Sequence, residues 1–285
     1  MKQIESIEAF KALVSKEKQI EAYAFQGINL SEYEGELKTH SFQDCIFMGC
    51  RLSSQTVEEL MKGNNFIFPN IPLPYTIFRN ELYSGDELYH ENYDKNIYQH
   101  YLNSSKKNKN GDVLKGYTQS IKESLSRSIH DHSMTDALEG ILNEVPTKKI
   151  VAVMGGHGLH RNDEDFINVV WLAKELTESG FALLSGGGPG AMEATHIGAW
   201  FAGQTDKSLN EALDILSHSP SYKDENWLSS ALEVMKKYPR KSHYFSIGIP
   251  TWLYGHEPPA VFATHIAKYF ANSVREDGLL MIANH

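Results

Sequence analysis

From Ser185 the chain reads Ser185-Gly186-Gly187-Gly188-Pro189-Gly190, and an apolar helical pattern resumes from Ala191 to Phe201. Glycine lets backbone approach a ligand without a Cβ and tolerates positive φ. A helix that opens directly after such a loop offers unpaired N–H groups to an anion. The chemistry this suggests is phosphate binding. A second turn, Gly155-Gly156-His157-Gly158, ends the run Lys149–Met154. The two turns lie about 30 residues apart, at the carboxyl ends of two expected parallel strands, so one mononucleotide could lie across both. His157, His160 and Arg161 stand near that mouth, as rim polarity or as ligands.

Several other chemistries do not assemble. Gly156-His157-Gly158-Leu159-His160-Arg161 has arginine where a dinucleotide fingerprint needs its third glycine, and the second strand ends in Ser185, not in an acidic residue. There is no G-x-S-x-G elbow and no P-loop. His256-Glu257 runs into two prolines, which rules out a helical zinc motif. Cys45 and Cys50 are too few for a disulfide scaffold or a zinc knuckle. His130-Asp131-His132 diverges on a helix and reads as surface polarity. No lysine stands at an expected strand end to form a Schiff base.

The elements that must position the glycine turns follow a β-α-β pattern. Ile150–Met154 is a continuous apolar run, as in a strand covered on both faces. Phe166, Val169, Val170, Ala173 and Leu176 share one helical face, with Asn162 or Asp163 as N-cap. Phe181–Leu184 is the next buried strand. Residues 204–241 read as a polar helical insertion, Tyr244–Ile249 as a strand, Trp252–Pro259 as a loop, Val261–Val274 as a helix and Leu279–Ala283 as a final strand. The fold class is therefore α/β with a parallel sheet, preceded by an α+β extension. The boundary falls between residues 146 and 147.

Within the extension, Ile4–Leu13 is helical in period. Phe42, Phe47 and Leu52 recur every five residues, with Cys45 and Cys50 two positions before the last two, which resembles one or two turns of a pentapeptide β-helix coil. Val57–Met61 reads as a short helix. Tyr75, Tyr83, Tyr89, Tyr93, Tyr98 and Tyr101 suggest core or subunit-interface packing. Ser104–Asp112 reads as a loop, and Tyr117–Val145 as one or two helices.

With 285 residues, 41% hydrophobic and 22% charged, the composition is that of an ordinary globular protein. The net charge of −9 and the lack of a basic patch argue against nucleic acid as a partner. No apolar run is long enough to span a bilayer, and the N-terminus lacks a signal-peptide core. A cytoplasmic protein with no membrane partner is the expectation.

Gly186–Ala199, GGGPGAMEATHIGA, resembles the GGGPGxMEAxxxGA signature of the LOG family, also labelled "lysine decarboxylase-like". Val151–Gly156 is similar to that family's first strand and loop, Ile247–Pro258 to its G-hydrophobic-x-L-x-x-E-x-x-P segment, and Phe270–Arg275 to the helix bearing its active-site arginine. The likeness covers about Lys148–His285, and the extension and insertion resemble those of the larger bacterial nucleotide 5′-monophosphate nucleosidases. It implies a Rossmann-like, doubly wound parallel sheet and a homo-oligomer, dimer or higher, with no cofactor or metal. The implied activity is hydrolysis of a nucleoside 5′-monophosphate to free base and ribose 5-phosphate. The implied catalytic residues are Arg275 and Glu193, although Glu193 could instead stabilise a helix N-terminus. Gly155, Gly156, Ser185, Gly186, Gly187, Gly188 and Gly190 would bind the nucleotide. The family's second motif, P-G-G/S-x-G-T-x-x-E, would follow the strand expected at Leu279–His285 and does not occur, so a fragment of a longer protein is expected. The alternative is a nucleotide sensor without chemistry. Gly187→Val is expected to abolish binding with the fold largely intact.

Overall fold

A computed structural model describes residues 1–145, 149–241, 244–255 and 260–282. Backbone contacts gather the chain into two compact units, Met1–Glu81 with Leu125–Ser133, and Leu82–Ser124 with Met134–His285.

The first unit is a short α/β solenoid. Its elements are β1 (Lys2–Ile4), α1 (Ile7–Lys16), β2 (Gln19–Glu21), β3 (Tyr23–Gln26), α2 (Glu34–Thr39), β4 (Ser41–Gln43), β5 (Ile46–Met48), α3 (Ser54–Met61) and β6 (Phe66–Phe68). Strands β1-β3-β5-β6 form one parallel sheet and β2-β4 another. The pairs Ile20↔Phe42 and Phe25↔Phe47 are each 22 residues apart, which sets the repeat. The five-residue spacing is real within a coil: Phe42 and Phe47 point inward, and a positive-φ residue follows each short strand (Asp44, φ 51°; Gly49, φ 63°). The coil is nevertheless not pentapeptide throughout, because helices α2 and α3 complete its turns. Phe25 stacks on Phe47 with centroids 4.7 Å apart, at the centre of a core that also holds Phe10, Ile20, Leu30 and Leu37. Helix α1 starts later than its period suggests, because residues 2–4 pair with β3 and Ser6 caps the Ala9 N–H at 3.2 Å.

Cys45 and Cys50 are free and buried, and burial pushes the Cys50 thiol up to about 11. His130 and Asp131 do not belong to the surface. Both are buried, with Nδ1 and Oδ1 3.2 Å apart and the imidazole edge-on to Tyr75; only His132 is exposed. No group of His, Cys, Asp and Glu among the described residues could hold a metal ion.

The second unit carries the glycine turns. It runs α4 (Gly85–Tyr89), a 3-10 turn (His90–Asn92), α5 (Tyr93–Ser104), β7 (Ser105–Lys107), β8 (Val113–Thr118), α6 (Ile121–Leu142, which lends residues 125–133 to the first unit), β9 (Ile150–Val153), α7 (Glu164–Glu178), β10 (Ala182–Ser185), α8 (Ala191–Trp200), α9 (Asp206–Ser217), α10 (Trp227–Lys237), β11 (Ser246–Gly248), β12 (His265–Ile266) and α11 (Asn272–Ile282). The expected loop at Ser104–Asp112 is largely a hairpin, β7 with β8. Tyr83 and Tyr101 are fully buried in this unit.

Strands β9 to β12 form one parallel sheet in sequential order. Right-handed crossovers that all step one way leave α7 and α8 on the same face, where Phe166 and Val170 pack with Ala194 and Ile197. The reversal of strand order that defines a doubly wound sheet does not occur within these four strands.

Two segments differ from expectation. The helix expected over Val261–Val274 forms only from Asn272, the start of α11: the residues before it contain β12, and Tyr83 bridges the far side of Ile266. Phe262, Ile266 and Phe270 mimic helical spacing, but residues 266–270 are all buried, leaving no solvent face for a helix to present. Leu279–Ile282 belongs to α11 and is not a strand, while Ala283 lies outside the described residues. A short apolar run suits either element, and periodicity cannot separate them. No helix among the described residues is long and apolar enough to cross a membrane.

Candidate functional site

The glycine turns meet at the carboxyl edge of the sheet. Gly156 O accepts hydrogen bonds from Leu159 N (3.1 Å) and from Ala191 N (3.2 Å), the first residue of α8. A Cβ on Gly190 would lie 2.0 Å from Gly156 O, and Gly190 adopts φ 71°, ψ −131°. Only glycine permits so close an approach in that conformation. Arginine at the place of a third glycine does no harm, because Arg161 turns away from this edge.

Gly187 also has a positive φ, 71°, and a Cβ there would lie 2.8–3.0 Å from Pro250, just beyond β11. Valine at position 187 would therefore disturb the backbone itself, so Gly187→Val cannot separate binding from folding. Gly186 faces the remaining partner. A Cβ there would lie 3.2 Å from Arg275 Nη1 and 3.0 Å from Met192 Sδ.

Arg275 projects from the first turn of α11, buried to 9% exposure. Its Nε donates to Asn272 Oδ1 (3.0 Å) and its Nη2 to Glu276 Oε1 (3.0 Å), while Asn272 Nδ2 donates to the same Oε1 at 2.8 Å. The guanidinium lies 5.8 Å from the centroid of Tyr254, an exposed ring. Two bonds thus orient the guanidinium, with Nη1 toward Gly186.

Glu193 sits in the first turn of α8 but only 1% exposed, with both carboxylate oxygens on Arg161: Nε donates at 3.1 and 3.2 Å, and Nη2 also donates to Oε1. Arg161 Nη1 donates to Trp227 O (3.0 Å) and Ser230 Oγ (2.9 Å), and the guanidinium stacks 4.4 Å from the Trp227 centroid. Burial pushes the Glu193 carboxyl up, and Arg161 opposes that. A carboxylate so enclosed joins α8 to α10 through Arg161. His157 and His160 are exposed.

Ser185, expected to touch nucleotide, is also fully buried. Its Oγ accepts from Gly187 N (3.0 Å) and lies 2.6 Å from His196 Nε2, while His196 Nδ1 lies 2.5 Å from Ser246 Oγ on β11. Burial pushes His196 down to about 3, so the ring is neutral. Gly155, Gly156, Gly186, Gly187, Gly188, Gly190 and Arg275 are thus brought to one edge, whereas Ser185 and Glu193 support it from within.

Sequence reasoning missed His196, Ser246, Asn272 and Glu276. A signal existed for one of them: Thr195-His196 is a polar pair among the apolar residues that follow Glu193 in α8.

A lysine does stand just past a strand end. Lys268 follows β12, is 1% exposed, and donates to Asp94 Oδ1 at 2.7 Å. Its ion pair does not suit it to a Schiff base. His256–Pro258, the end of the segment resembling a family motif, lies outside the described residues.

The chain matches no protein-family model and no curated protein.

Proposed function

We propose that this edge binds a nucleoside 5′-monophosphate on a Rossmann-like sheet of the LOG type, and that the protein hydrolyses its N-glycosidic bond. Water adds to the ribose C1′, the C1′–N bond breaks, and the base departs with a proton, leaving ribose 5-phosphate. The observation that carries the reading is Arg275 Nη1 against Gly186, at the mouth of a loop that opens directly into α8. A guanidinium, the loop backbone and a helix N-terminus there favour a bound anion together. In a Rossmann-like sheet the strand order reverses beside the first strand, here β9, which would bring the ligand crevice to Gly155 and Gly156.

On this reading the glycines hold the phosphate and Arg275 offsets negative charge that persists as the ribose becomes oxocarbenium-like. Glu193 braces the loop through Arg161. The resemblance assigns the water-activating carboxylate to the second motif, which is not among these 285 residues.

A second reading, a nucleotide sensor without chemistry, draws on one observation: both oxygens of Glu193 are engaged by Arg161. Incubation with AMP, GMP, CMP, UMP and IMP, with free base followed by chromatography and binding by calorimetry, decides between them. Base release that is lost in Arg275→Ala supports hydrolysis. Binding without release supports the sensor, and absence of binding to all five nucleotides overturns both.

A further inference from the structure

We infer that His196 is a positioning residue for the anion-binding loop, acting through the hydroxyl of Ser185. This rests on the nucleotide-binding reading above. Three elements meet at the imidazole: β10 through Ser185, α8 through His196 itself, and β11 through Ser246. All three side chains are at most 1% exposed. The ring also packs over the carboxyl end of β11, where a Cβ on Gly248 would lie 3.6 Å from Nε2.

The hydrogen bonds tie the loop to the ring. Gly187 N–H donates to Ser185 Oγ. His196 bonds both serines in either neutral tautomer: the ring nitrogen that carries the proton donates to one hydroxyl oxygen, and the bare nitrogen accepts from the other hydroxyl. Ser246 is pinned in turn: its N–H donates to Thr264 Oγ1 (3.0 Å), and that hydroxyl donates to Ser246 O (2.9 Å).

The consequence falls on the loop. Gly187 N–H is committed inward, at a residue held at φ 71°. Pro189 has no N–H and Ala191 N–H is held by Gly156 O, so the amides left for a ligand are those of Gly188 and Gly190 and those that follow Ala191 in the first turn of α8. Without the His196 bond, the Ser185 hydroxyl can rotate, Gly187 loses its fixed acceptor, and the amides that follow lose their common orientation.

The test uses the whole chain with His196→Phe, His196→Asn and His196→Gln, each held below its own melting temperature. Glutamine places its terminal amide where Nε2 stands and restores a hydrogen-bond partner for Ser185, whereas asparagine reaches only the Nδ1 position. Calorimetric affinity for AMP should fall about tenfold, the loss of one buried hydrogen bond, in the Phe and Asn variants, and should return to within about threefold in Gln. Nitrogen-15 spectra of the wild-type imidazole should report a neutral ring fixed in a single tautomer. Folded Phe and Asn variants that bind AMP like the wild type would overturn the inference, as would a ring that populates both tautomers. If the wild type binds no nucleotide, the nucleotide reading fails by itself. The relay is then judged by hydrogen exchange at the Gly187 amide, which must speed at least tenfold in His196→Phe for the inference to stand.

Discussion

The contact between the two glycine turns makes Gly190→Ala a stringent test of the site's architecture. The new Cβ would sit 2.0 Å from Gly156 O, 3.0 Å from Gly156 C and 3.1 Å from His157 C, all backbone atoms that no rotamer change can move. The turns must separate, which overpacks their surroundings and stretches the 3.2 Å bond from Ala191 N to Gly156 O. In addition, φ 71° with ψ −131° is strained for any residue with a side chain. Backbone strain, overpacking and one lost hydrogen bond together make the cost roughly 3–5 kcal/mol. All four tryptophans lie in the second unit, so their fluorescence in a urea titration follows that unit. Gly188→Ala is the control. Gly188 has no positive φ, and a Cβ there meets only the Met192 side chain, with the flexible Cε at 2.6 Å, so its cost should stay near or below about 1 kcal/mol. A Gly190→Ala protein within about 1 kcal/mol of wild type would refute the argument that the turns touch.

Two further outcomes are expected. Glu193→Ala leaves the buried Arg161 guanidinium without its carboxylate, and removing one partner of a buried pair should cost about 3–5 kcal/mol in the same titration; a loss below about 1 kcal/mol would mean the pair is hydrated. His196 has a folded value of about 3 against an ordinary 6.5, so its contribution is fully present above pH 6.5 and is lost progressively as pH falls toward 3. His130 is lowered in the same direction, again by burial. The unfolding free energy from the same titration, measured from pH 7 to pH 5, should therefore fall by about 2 kcal/mol in total for His196, since one proton changes stability by at most about 1.4 kcal/mol per pH unit. A flat profile over that range would show that the His196 ring accepts a proton in place.

The sequence by itself determined the parts whose chemistry is local. Six consecutive residues from Ser185 to Gly190 end a strand and start a helix wherever they stand, because glycine and proline dictate backbone conformation without help from neighbours. The β9-α7-β10-α8 succession follows from period alone, and so does the inward alternation of Phe42 and Phe47. Tertiary structure decided whatever depends on what surrounds a residue. Val261–Val274 carries helical spacing but up to Ala271 becomes β12 and its flanks, because β11 and Tyr83 supply hydrogen bonds on both sides. Glu193 and Arg161 are 32 positions apart, and nothing in their spacing announces that burial drives them into one ion pair instead of to the rim. The same holds for Ser185, His196 and Ser246, which come from two strands and a helix. A polar side chain in an apolar segment signals burial, but its partner is chosen by the fold, since only the packed sheet brings the donor and acceptor together and excludes the water that would otherwise satisfy them.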